Sequence, residues 1–499
     1  MITNHLFWFI PYLLAGERKS FLFLVILNCN LYAEIFNGMT LYAPIVSGAN
    51  THQTYLIDNQ SNVINVWTHE SGVASMPYLL EDSTLLYPYR VENPSMNAAG
   101  VGGGISKYSW DGDLIWDYTI GDETYQHHHD IEPLQNGNIL VLLWERKTAQ
   151  EAFAAGRQTI NNPLNQIWSE AIFELELVGN NDANIVWEWH LWDHLIQDAD
   201  STLPNFGNVA DHPELQDINY DNSESGPPTT RPGGPNGDWK HFNAIDYNPE
   251  LDQIVISSRT HDEIYIIDHS TTTEEAATHM GGNSGMGGDY LYRWGNPHAY
   301  DRGTDSNHIL KDPHGVNWIP PGYPGAGNII IFNNNHTNNS AVIEIITPFS
   351  ENGIYFLDNN MPFGPEAPLW IYTGSFHTEM QGGAFRLPNG NTIITDCDDG
   401  YIFEVTQDNY IVWDFIYNDG ENIIPRAQKY SIDYLNIDPD YFTLGDVNYD
   451  GYYNLIDILM ISDMTTGHGY APNSPADYNS DGMVDMDDFT SLLEFIINN

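Results

Sequence analysis

The chain has 499 residues, with 68 Asp and Glu against 16 Lys and Arg, a formal charge of −52 at pH 7. Such a field repels duplex nucleic acid and anionic membrane surfaces, so neither is an expected partner, and an anionic substrate needs a local cationic pocket to enter. With two cysteines, Cys29 and Cys397, the chain can build neither a disulfide framework nor a thiolate metal cluster.

Near the N-terminus, Arg18-Lys19 precede an apolar run over 20–27. A positive region before a short apolar core is the layout of a secretory signal, and the run is too short to cross a membrane. Residues 1–33 are therefore expected to be a signal region cleaved after Ala33. The mature protein would have no membrane span, Cys397 as its lone cysteine, and a secreted, periplasmic or cell-surface location.

Between Thr54 and Phe415 one pattern recurs: an apolar strand, a polar turn, then a strand with Trp or an aromatic end. The closing strands are centred on Trp67, Trp116, Trp187, Trp294, Trp370 and Trp413. Turns such as Gln135-Asn136-Gly137-Asn138 and Pro388-Asn389-Gly390-Asn391 supply the positive-φ positions of tight hairpins. Short strands with a repeating aromatic predict an all-β, six-bladed β-propeller over 34–430, because a single blade cannot bury both its faces. A two-sheet sandwich would not need the aromatic repeat. Uneven spacing between the tryptophans places insertions around 145–170, 194–238 and 270–290, expected as surface loops that carry substrate contacts. A linker over 431–444 follows.

Three histidine clusters open three successive repeats: Gln126-His127-His128-His129-Asp130, Trp239-Lys240-His241-Phe242-Asn243 and Asp312-Pro313-His314-Gly315. Apolar runs follow each within about a dozen residues, at 139–142, 254–257 and 329–332, and are expected to be the innermost strands of their blades. That register puts His129, His241 and His314 at one mouth of a central channel. Arg259 is expected to end the strand that His241 begins. Imidazoles with one guanidinium make an anion site, since the guanidinium is permanently charged and forked, and a neutral imidazole can act as nucleophile or base. Three histidines could instead hold zinc with an open position, or simply bridge blades.

At the C-terminal end, Asp446, Asn448, Asp450, Asn454 and Asp457 fall at loop positions 1, 3, 5, 9 and 12 of an EF-hand-type calcium loop, with Gly451 at the turn and the Tyr452 carbonyl at position 7. Asp477, Asn479, Asp481, Met483, Asp485 and Asp488 repeat the pattern around Gly482, and an apolar helical run follows each loop. Calcium is the expected ion. This duplicated loop-plus-helix over 445–499 resembles a type I dockerin, which implies a small α-helical domain and a cohesin or cell-surface scaffold as partner.

The propeller carries a second resemblance. His128-His129-Asp130-Ile131, Trp239 to Asn243 running on to Ser258-Arg259, Asp312 to Gly315, and Gln381-Gly382-Gly383-Ala384 with Leu387-Pro388-Asn389-Gly390-Asn391 resemble the bacterial arylsulfate sulfotransferase family over most of 50–416. The resemblance implies a six-bladed propeller that moves a sulfuryl group from an aryl sulfate to a phenolic acceptor, through a sulfohistidine and without a nucleotide sulfate donor. It implies His314 as nucleophile, with His241, Arg259 and one histidine of the first cluster holding the sulfuryl oxygens: His129 first, His128 second, with Asp130 orienting a ring. The alternatives are a non-catalytic propeller that binds sulfated glycans, an aryl sulfatase, and a metal-dependent hydrolase.

Overall fold

The structure, a computed structural model, describes residues 34–220, 235–350, 353–358, 360–417 and 423–435. Beyond these it describes only 445, 457–458, 461–462, 476, 478–479 and 484–498.

Six four-stranded antiparallel sheets form the blades of a β-propeller. In order from the innermost strand outward, blade 2 is Tyr78–Leu79, Leu85–Arg90, Gly103–Tyr108 and Leu114–Thr119; blade 3 is Tyr125–Pro133, Ile139–Thr148, Gln166–Val178 and Asp182–His190. Blade 4 is Phe242–Asn248, Gln253–Ser258, Glu263–Asp268 and Tyr292–Trp294; blade 5 is Pro313–Trp318, Ile329–His336, Asn339–Ile345 and Trp370–Tyr372. Blade 6 is Gly383–Arg386, Thr392–Asp396, Tyr401–Val405 and Ile411–Ile416. Blade 1 closes the ring by joining the two ends of the domain: its innermost strand, Ala427–Ser431, pairs with Gly38–Tyr42, followed by His52–Ile57 and Val63–His69.

The recurring tryptophans lie on the outermost strands, and their repeat has a physical cause. Each indole N–H donates to an acceptor in the next blade: Trp67 to Ser109 O (2.8 Å), Trp116 to Asp182 O (2.9 Å), Trp187 to Thr271 Oγ1 (3.2 Å), Trp294 to Pro365 O (2.9 Å), Trp370 to Gln407 O (3.0 Å) and Trp413 to Asn59 O (2.8 Å). The last bond returns to blade 1 and completes the circle. The rest of the inter-blade space is apolar, as where Leu140, Leu142 and Ile172 of blade 3 share a buried cluster with Ile245, Ile254 and Ile256 of blade 4. Full burial of such side chains stabilises by about 1.5–3 kcal/mol each, before chain entropy is counted.

Two expectations about elements need correction. The apolar runs at 139–142, 254–257 and 329–332 are the second strands, not the innermost ones. The innermost strands line the channel and carry polar and bulged residues, so they lack the apolar signature of a buried strand. The two ends of the 145–170 insertion are likewise strand: the second and third strands of blade 3 pair from Ile139↔Leu175 to Thr148↔Gln166, with the helix Ala149–Ala154 at the tip.

Among the described residues α-helix also covers Thr273–Ala276 and Met486–Asn498, and residues 457–458 and 461–462 are helical. Leu492 packs with Ile458, Ile461 and Ala476, so apolar residues of both C-terminal repeats share one small cluster.

Candidate active site

His129, His241 and His314 come together where the innermost strands of blades 3, 4 and 5 begin. His129 lies within Tyr125–Pro133, His241 immediately precedes Phe242–Asn248, and His314 lies in Pro313–Trp318. All three strands slip register beside the histidines, between His127 and Ile131, between Phe242 and Ala244, and between His314 and Asn317. A bulge re-aims side chains out of the regular alternation. His129 (φ 52°), His241 (φ 52°) and Asp312 (φ 50°) also adopt the left-handed conformation, which costs of order 1–3 kcal/mol each and must be held by its surroundings. Gly315 (φ 56°) is required for the fit, since a Cβ there would lie 2.8 Å from Gly383 Cα and 2.9 Å from Gly382 O of blade 6.

Each ring is anchored through Nδ1. For His314 the anchors are Asn334 Oδ1 (2.7 Å) and Asp312 O (3.2 Å). The Asn334 amide cannot be turned over, because its Nδ2 donates to Thr378 O (3.0 Å) and Gln381 O (2.9 Å). Both anchors can only accept, so Nδ1 carries the proton and Nε2 holds the lone pair. Burial, then the neighbouring Arg259, hold the His314 pKa well below the usual histidine range, so the ring is neutral.

His241 donates from Nδ1 to Asp238 Oδ2, and Asp238 Oδ1 accepts the Trp144 indole N–H (3.1 Å). Burial alone would raise the Asp238 pKa; the His241 ring and its hydrogen bond hold it below the usual range. The carboxylate behind the ring fixes its orientation and keeps a proton on Nδ1.

His129 sits at the end of a buried relay. Its Nδ1 is 2.9 Å from His128 Nδ1, and His128 Nε2 is 2.9 Å from Glu170 Oε2. Burial lowers the His128 pKa to about 3 and pushes Glu170 well above the carboxylate range, so both groups are neutral. A protonated Glu170 donating to His128 Nε2 makes His128 Nδ1 a donor to His129 Nδ1, and His129 is left with Nε2–H. His128 is therefore inside the wall, stacked on Trp144 at 4.4 Å, and not in the cavity. The His129 and His241 ring centres are 4.5 Å apart.

Arg259 corrects another expectation. It follows the second strand of blade 4, not the strand that His241 opens, but its N–H donates to His241 O (3.1 Å), so the two are cross-strand neighbours. Its Nε lies 3.5 Å from Asp312 Oδ1. Asp130 orients no imidazole. It pairs with Arg426 (2.6 Å) and accepts from Tyr78 OH (3.0 Å). Below that pair, a cavity of about 250 Å³ lies on the propeller axis, lined by residues of all six blades including Glu132, Asp246, Trp318, Arg386, Arg426 and Lys429.

The structure brings together the three rings and Arg259 that the sequence singles out, with Asp238, Glu170, Asn334 and Arg426, which it does not single out. Asp238, three residues before His241, was the one readable from local spacing. In the C-terminal region, Asp446, Asn448, Asp450, Tyr452, Asn454, Asp477, Asp481 and Met483 lie outside the described residues. Asp457 and Asp488 are buried, and Asp488 accepts from the N–H groups of Asn479 (3.0 Å) and Asp485 (2.8 Å).

Comparison with curated proteins finds no match. Solved structures similar to this chain include a protein of unknown function from Bacteroides caccae (11% identity, 79% of this chain and 98% of that one, TM-score 0.41). They also include apo AztD from Citrobacter koseri (9%, 79% and 99%, TM-score 0.35) and a protein from Lactobacillus plantarum (8%, 76% and 81%, TM-score 0.37). Likeness this distant informs neither activity nor substrate. The family model for arylsulfotransferase (ASST) matches residues 34–361, well over half of the chain, and the chain belongs to that family.

Proposed function

We propose that the protein moves a sulfuryl group from an aryl sulfate to a phenolic acceptor, with His314 as nucleophile and no nucleotide sulfate donor. The observation that carries this reading is the fixed tautomer of His314, a neutral ring with its Nε2 lone pair free beside a guanidinium. The Nε2 lone pair attacks sulfur and the S–O(aryl) bond breaks, its electrons leaving with the phenolate. An acceptor phenol oxygen then attacks the sulfohistidine, and the N–S electrons return to Nε2. The proton lost by the acceptor balances the one gained by the released phenolate.

His241, His129 and Arg259 hold the sulfuryl oxygens. Sulfuryl transfer spreads negative charge over those oxygens, and donors fixed in advance stabilise it at no reorganisation cost, as in phosphoryl transfer. His128 takes a supporting role through His129. A dication among the same rings is disfavoured by Arg259.

The C-terminal repeats form, in this reading, a dockerin-like calcium module. The donors are hard oxygens, and the position-12 carboxylate Asp488 is folded back onto its own loop by the Asn479 and Asp485 N–H groups, where a ligand at that position belongs. Asp457 is its counterpart in the first loop, and a cohesin or cell-surface scaffold is the matching partner. Export by the signal region completes the proposal.

The test is acceptor dependence. With a chromogenic aryl sulfate, sustained phenol release should require a phenolic acceptor, and His314→Ala should abolish it. Release at the same rate without acceptor would make the protein a sulfatase, and binding of sulfated glycan with no turnover would make it a lectin-like propeller.

A further inference from the structure

Away from the channel, His194, His279 and Asp289 form a second cluster of titratable side chains, on the outer side of blades 3 and 4. His194 follows the outermost strand of blade 3, and the other two sit on the insertion between the last two strands of blade 4. Asp289 Oδ1 is 2.7 Å from His194 Nδ1 and 2.8 Å from His279 Nδ1, so one carboxylate oxygen faces two imidazole nitrogens.

The far side of His194 decides what that means. Its Nε2 is 2.9 Å from Ala276 O, a carbonyl that can only accept, so Nε2 carries the proton. In a neutral ring Nδ1 is then a lone pair aimed at a carboxylate oxygen, acceptor against acceptor, within a pocket where His194 and Asp289 are buried. That contact needs a positive charge shared by the two atoms, carried by a proton on Nδ1 or by a metal ion. A backbone carbonyl behind a histidine is also the arrangement that sets a metal-ligating tautomer. The pocket is shaped for this ring: Trp189 lies parallel to His194 at 5.7 Å, and a Cβ on Gly288 would come within 2.7 Å of His194 Nε2.

We propose that His194, His279 and Asp289 bind one zinc-class divalent cation that clips the insertion after blade 3 to the insertion of blade 4. Two imidazoles and a carboxylate are a recognised zinc ligand set, with the fourth position open to water on the side of the exposed His279. Tetrahedral ligation requires the three atoms to spread by about half an ångström from hydrogen-bond spacing. His279, in a glycine-rich loop, is free to supply that movement.

The experiment uses the full chain, stripped with chelator and then returned to excess calcium so that the C-terminal module is loaded. Zinc chloride is titrated by calorimetry, and cobalt(II) by its visible ligand-field band. One ion per chain is expected. His279→Ala should weaken binding at least about ten-fold, and its exposed side chain (58%) makes misfolding no explanation. Asp289→Asn should act in the same direction, and His314→Ala should bind as the wild type does. The proposal is overturned if no zinc binds, if His279→Ala binds as tightly as wild type, or if binding is lost in His314→Ala, which would move the ion to the channel.

Discussion

Asn334 never reaches the substrate in this account, yet it determines which nitrogen of His314 attacks. Asn334→Leu leaves only the 3.2 Å contact to Asp312 O, so kcat should fall by about 10²-fold or more with little change in KM. Asn334→Asp, which keeps an acceptor at that place, should recover part of the loss; equal damage from both would point to a packing role. The depressed His314 pKa has its own consequence. A ring of ordinary pKa, about 6.5, loses its lone pair in acid. Single-turnover phenol release should therefore stay flat from about pH 8 to 5.5, and a ten-fold fall per pH unit below 6.5 would contradict the assignment. At this scale the sequence was legible where chemistry repeats. His129, His241 and His314 stood out because one residue type returned at one register. Glu170 and Asn334 were not legible, since Glu170 lies inside the long strand Gln166–Val178, Asn334 in the run Asn333-Asn334-Asn335, and both act only after distant strands bring them under a ring.

Within the elements, the outermost strands were readable and the innermost were not, for opposite physical reasons. Trp116 and its counterparts are large, periodic and needed at every blade junction, whereas the channel strands are polar and bulged. Trp116→Phe keeps most of the packing but loses the 2.9 Å bond to Asp182 O, which should cost about 1 kcal/mol. Trp116→Ala also opens a cavity and should cost about 3–5 kcal/mol, measured by urea unfolding. On the innermost strand of blade 4, burial raises the Asp246 pKa from 3.8 to about 7. The folded state keeps this proton where the unfolded chain releases it, so its contribution to stability is present below about pH 4 and is lost as pH rises toward 7. Asp246→Asn should thus match wild type at pH 4 and melt higher at pH 8, by roughly 2 °C or more. A gap that does not change with pH would contradict the shift.

For the molecule as a whole, charge and closure set the terms. A formal charge of −52 repels itself across the folded body, so the melting temperature should climb as NaCl rises from about 0.05 to 1 M, where screening shortens to a few ångströms. A cationic station near the channel histidines, Arg259 with Arg426 beyond it, then has to draw in an anion that the rest of the surface repels. Composition showed that need, and the fold supplied the station by bringing residues from blades 1, 3, 4 and 5 to one place. The most direct measurement of the central claim is peptide mapping of the intact protein after brief exposure to an aryl sulfate without acceptor. One added sulfuryl group is expected, on His314, discharged when a phenol is supplied. A sulfuryl group on another residue, or turnover with none trapped on His314, would contradict it.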